Sequence, residues 1–112
     1  MDPASRIMND DKLTYDLISA IINNDPQCVK NLLDQGAQPN RSLDEANVTP
    51  LHYAAQHNAL NCIPLLIECG ANVHTITEPD GQTPLDIALL HQHRNIVQLL
   101  MYYAENREPA IN

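Results

Sequence analysis

Apolar residues in this chain come in pairs set two residues apart: Cys28-Val29 with Leu32-Leu33, Cys62-Ile63 with Leu66-Ile67, and Ile96-Val97 with Leu100-Met101. Positions i, i+1, i+4 and i+5 share one side of an α-helix, so each set predicts a short amphipathic helix. The sets recur at a constant step, since 62 − 28 = 34 and 96 − 62 = 34. Other markers keep the same step. Gly36-Ala37 returns as Gly70-Ala71, and Thr49-Pro50-Leu51 returns as Thr83-Pro84-Leu85. A fixed interval of this size is the mark of a repeat architecture, in which each unit buries its apolar side against the next.

A further helix precedes each of these. In units two and three it opens on Thr-Pro, where Thr49 or Thr83 can accept a free backbone N–H and Pro50 or Pro84 stands where none is needed. Ala54 and Ala55, with Ala88 and Ala20 at matching places, are small enough for helices to approach closely. This first helix is expected to stop near Asn58 and its equivalents Asn24 and Gln92, where a residue at positive φ turns the chain. The second helix starts at Asp25-Pro26 in unit one. In unit two Asn61 stands three residues before Pro64, which places that proline in the first turn. The second helices end at Gly36 and Gly70, and polar connectors follow over 38–48 and 72–82, the latter with a Pro79-Asp80-Gly81 turn. These are expected to be hairpin-like loops between units. The predicted units are about 12–47, 48–81 and 82–105.

Thr49-Pro50-Leu51-His52-Tyr53-Ala54-Ala55, then Leu65-Leu66-Ile67 and Gly70-Ala71-Asn72-Val73, resembles the ankyrin repeat, and the resemblance covers about residues 13–104. It implies an all-α solenoid of three helix-turn-helix units joined by β-hairpin-like loops. The departures are specific. Asn24, Asn58, Gln92 and Asn47 stand where the family usually has Gly, and each connector carries one extra residue. Unit one has Tyr15-Asp16-Leu17-Ile18 for Thr-Pro-Leu-His, and unit three ends in Tyr103-Ala104-Glu105 without its glycine. Terminal units of a solenoid need a polar outer side, so these two are expected to act as caps.

The balance of 6 Lys plus Arg against 14 Asp plus Glu gives the 112 residues a net charge of −8, with no basic cluster. Nucleic acid and anionic membrane are thereby disfavoured as partners, and a basic or neutral protein surface is favoured. No apolar run is long enough to span a membrane, and no secretory leader is evident. With three cysteines, an odd number, reduced thiols and a cytoplasmic or nuclear setting are expected. The polar stretches 1–11 and 106–112 are expected to be disordered tails, the first resembling a cloning remnant at Asp2-Pro3-Ala4-Ser5.

No phosphate-binding glycine loop, Ser-His-Asp spacing or nucleophile elbow occurs, so neither an enzyme nor a cofactor is expected. His52 has Ile18 and Asp86 as equivalents, which points to architecture instead of chemistry; the resemblance implies that Thr49 and His52 tie neighbouring hairpins through backbone groups. His91 and His93 are two apart and would diverge on a helix, which argues, with His57, against a metal site. Cys28 and Cys62 occupy core positions, and Cys69 a helix end.

The family resemblance also implies a docking strip made of connector tips and first-helix faces. Transferred by position, it comprises Arg41, Leu43, Asp44, Glu45 and Val48; Ile76, Glu78, Asp80 and Gln82; and Tyr53, Gln56, His57, Leu90 and His91. The expected function is a non-catalytic protein-binding module, monomeric when free. Two alternatives remain open. Asn40–Asp44 followed by Pro50–Ala55 is similar to small free-standing inhibitors of the myotrophin kind, with IκB-like inhibitors a further reading on family grounds alone, and the chain could also be the targeting domain of a larger enzyme.

Overall fold

The computed structural model describes residues 3–106, with side chains described for 11–105. Six α-helices form among them: α1 (Pro3–Ile22), α2 (Pro26–Asp34), α3 (Pro50–Gln56), α4 (Ile63–Glu68), α5 (Pro84–Leu90) and α6 (Arg94–Asn106). They pair as α1/α2, α3/α4 and α5/α6. The first helices stack in one row, α1 on α3 and α3 on α5, while α2 packs on α4 behind them. Among the described residues the connectors contain turns and bends and no strand. Hairpin character survives in the second one, where Thr77 N–H donates to Gln82 O at 3.0 Å and Gly81 N–H to Thr77 O at 2.8 Å.

The repeat positions form the core. Leu17, Ile21, Val29, Leu51, Ile63, Leu66, Ile96 and Leu100 are buried, joined by Cys62. Ala54, Ala55 and Ala88 are fully buried between first helices, which is what allows the row to pack closely. Asn24, Asn58 and Gln92 sit at φ 50°, 56° and 60°, so each first helix ends on the left-handed residue that the sequence places there, and Asn47 takes φ 55°. Gly36 and Gly70, at φ 108° and 104°, close the second helices in a region that side chains rarely enter.

Four local expectations change. Helix α1 begins at Pro3 and not near residue 12, because 4–22 contains neither Gly nor Pro to interrupt it. Residues 1–2 and 107–112 lie outside the described residues, and with them most of the expected C-terminal tail. Asn61 does not start α4. It lies inside a 3-10 turn, Leu60–Cys62, which delivers Pro64 to the first turn of the helix. His91 and His93 do not share a helix, because Gln92 reverses the chain between them and their rings stack at 5.8 Å. Finally, unit three does not present the wholly polar outer side expected of a cap: Leu89, Leu90 and Met101 are 56%, 67% and 46% exposed.

Candidate functional site

The connectors lie side by side because polar side chains bind them across units. Asn40 Nδ2 donates to Gly70 O at 2.9 Å while its Oδ1 accepts Asn72 N–H at 2.8 Å. Asn47 Nδ2 donates to Ile76 O at 2.7 Å, and Glu78 N–H donates to Ala46 O at 2.8 Å. Arg41 forms an ion pair with Asp11, fastening the first connector to α1. Behind the connectors, His93 Nδ1–H donates to Ala55 O at 2.8 Å and joins unit three to unit two.

His52 answers the question that its motif poses. It is fully buried, and its Nδ1 lies 3.0 Å from Thr49 N and 2.9 Å from Thr49 Oγ1. An N–H can only donate, so Nδ1 carries no proton; Nε2–H therefore donates to Gln82 O, 2.8 Å away in the next connector. Burial lowers its pKa from the ordinary value, and the backbone of Gln82 and Thr75 opposes that only in part. The ring is a neutral strut. Asp86, its equivalent in unit three, reproduces half of the job: its carboxylate accepts Thr83 N–H at 3.0 Å and its own N–H donates to Thr83 Oγ1 at 3.1 Å.

The docking strip divides once it is folded. Glu45, Glu78, Asp80, Gln56 and His57 are exposed; so is Asp44, whose Oδ1 accepts Ala46 N–H at 3.0 Å and holds the tip in shape. Ile76 and Leu90 are the exposed apolar members, at 44% and 67%. His91 is exposed and stacked on His93. The remaining members are partly committed to the fold. Leu43 and Val48 are half-buried, Tyr53 packs against the core, Arg41 is held by Asp11, and Gln82 gives its carbonyl to His52 and its N–H to Thr77. Sequence reasoning missed Asn40 as a tie and treated Asn47 only as a turn residue. Nothing in the spacing marks a side-chain amide as bridging two connectors.

Among the described residues, no three His, Cys, Asp or Glu side chains converge as a metal site. The cysteines are unpaired. Cys62 is buried with its Sγ 3.7 Å from Asn24 Oδ1, and burial, with Asp25 nearby, pushes its thiol up to about 11. Cys69 is exposed. No helix in the described residues is long and apolar enough to cross a membrane.

Stacked helical pairs whose connectors are laced into one strip define a helical-repeat solenoid. More narrowly, the chain belongs to the ankyrin-repeat family: the model for ankyrin repeats in three copies matches residues 17–110. No curated protein matches the chain. Ankyrin repeats are generally protein–protein interaction modules.

Proposed function

We propose that this is a non-catalytic module that binds a protein partner along the strip of connector tips and first-helix faces. One observation supports this reading above the others: Ile76 is 44% exposed on a connector that also presents Glu78 and Asp80, beside Asp44 and Glu45 of its neighbour. Among the described residues, the ion pairs are Lys12–Asp16, Lys30–Asp34 and Arg41–Asp11, so the four tip carboxylates have no cation of their own. Inter-unit hydrogen bonds hold the tips in register before any partner arrives, which limits the ordering cost of binding. An acidic strip with an apolar anchor suits a partner with basic residues around an apolar side chain. The three unpaired thiols fit work in the cytoplasm or nucleus.

The test replaces Asp44→Asn, Glu45→Gln, Glu78→Gln and Asp80→Asn together, which removes charge while leaving Asp44's turn oxygen in place. Partners captured from native lysate by the parent chain should be lost by the variant, and their capture should weaken with salt. Retention of every partner by a variant with an unchanged helical spectrum would overturn this placement of the face.

A further inference from the structure

The first connector carries a hydroxyl just ahead of two carboxylates. Ser42 is followed by Leu43 and then by Asp44 and Glu45, both exposed. It lies in 38–48, a stretch of turns and bends without helix or strand, so the backbone around it can be drawn into an extended form without unwinding a helix. The other serines and threonines with described side chains are placed differently. Thr14, Thr49 and Thr77 are buried, Ser19 lies within α1, and Thr83 Oγ1 accepts Asp86 N–H at the start of α5. Thr75 is half-buried, with Asn47 Nδ2 3.5 Å from its Oγ1, and the three residues after it include a single carboxylate, Glu78.

We propose that Ser42 is a phosphoacceptor for an acid-directed protein kinase, one whose basic substrate cleft reads carboxylates on the C-terminal side of the hydroxyl. Asp44 and Glu45 supply those carboxylates at the second and third positions after the serine, and neither enters an ion pair among the described residues. The cation beside the serine, Arg41, would repel such a cleft if it were presented to it. The fold withdraws it: Arg41 is paired with Asp11 of α1, and its Nε is buried. The hydroxyl itself is held only locally. Ser42 Oγ donates to Asp44 O at 2.9 Å and accepts Asp44 N–H at 3.3 Å, so its hydrogen bonds stay within the tip and freeing it parts no two units. In the transfer, the γ-phosphorus of ATP forms a bond to Ser42 Oγ while its bond to the β,γ-bridging oxygen breaks. ADP leaves with that electron pair, and the hydroxyl proton passes to the kinase's catalytic carboxylate. The product adds about −1.5 to −2 charge to a connector that is already acidic, and so sets the charge of the strip. The assignment of Ser42 stands independently of what docks there.

Phosphorylation of the full chain in vitro tests this. Incubated with ATP and a purified acid-directed serine/threonine kinase, the chain should gain a phosphoryl group that tandem mass spectrometry maps to Ser42. Ser42→Ala should gain none on this connector. The double variant Asp44→Asn, Glu45→Gln keeps the hydroxyl and the side-chain oxygen that accepts Ala46 N–H, and its initial rate of modification should fall at least roughly tenfold while its helical spectrum is unchanged. A chain that stays unmodified after prolonged incubation would overturn the proposal. So would a phosphoryl group mapped elsewhere with Ser42 bare, or a double variant modified as fast as the parent.

Discussion

His52 carries a connection on each side of its ring, and both depend on its being neutral. Replacing it by Ala leaves Gln82 O without its donor and Thr49 N–H without its acceptor in a buried place, a loss of about 2–4 kcal/mol. Chemical denaturation of His52→Ala beside the parent measures it. The pH dependence has a definite sign. A folded pKa below the ordinary value means that the unfolded chain binds the proton more readily, so the stability contributed by His52 is complete above about pH 6.5 and is lost as pH falls through the lower folded value. The gap in melting temperature between parent and His52→Ala should therefore narrow as pH drops from neutral toward mildly acidic; a gap that widens would contradict the neutral strut. Backbone strain offers a second check at this scale. Gln92 at φ 60° is a poor resident of the left-handed region, so Gln92→Gly should stabilise by about 0.5–1 kcal/mol. Gly70→Ala should destabilise by about 1–2 kcal/mol through backbone conformation alone, since an added Cβ there meets no atom within 4 Å. Thermal melts of the two variants should move in opposite directions.

Within each element, length follows from punctuation. Thr-Pro starts α3 and α5, a left-handed residue stops them, and a helix of seven residues results in both cases. Helices that short are marginal alone, so they persist because one side is buried against a neighbour. Helix α4 is shorter still, at six residues, because the Leu60–Cys62 turn takes up the start of the segment. A hollow of about 460 Å³ lies between this segment and α6, lined by Leu60, Asn61, Pro64, Asn95, Gln98, Leu99 and Tyr102. The spacing of apolar pairs made these helices legible, and the caps at Asp25 and Thr83 were legible too, because both rest on contacts within a few residues. The 3-10 turn was not, since Pro64 is compatible with either kind of first turn. Nor were Asn40 and Asn47 as bridges, because their partners lie 28 to 32 residues away and depend on how connectors settle against one another.

Across the whole molecule, stability is a property of interfaces between units. Unit two is covered on both sides, which is why Leu51, Ala54, Ala55, Ile63 and Leu66 are all at or below 1% exposure. Truncation after residue 81 would uncover much of that surface and remove the carbonyl that receives His52. Each large aliphatic re-exposed costs about 1.5–3 kcal/mol, and several together rival the roughly 5–15 kcal/mol that holds a domain folded. The truncated chain should therefore show a broad, low-temperature melt by circular dichroism; a cooperative transition near that of the parent would mean that the units are largely independent.

The sequence by itself determined the number of units, the helical period, the residues that turn the chain and the acidic character of the strip, because each is encoded in spacing or composition over short distances. Only the tertiary structure decided which side chains of the strip are free. Arg41, Tyr53 and Gln82 look available in a linear reading and are drawn into contacts with other segments, and Val48 is half-buried. It also decided that unit three exposes leucines where a cap would be polar. The physical reason is common to both: exposure depends on what lies alongside, and a repeat spaced 34 residues along the chain is only about one helix diameter away in the fold.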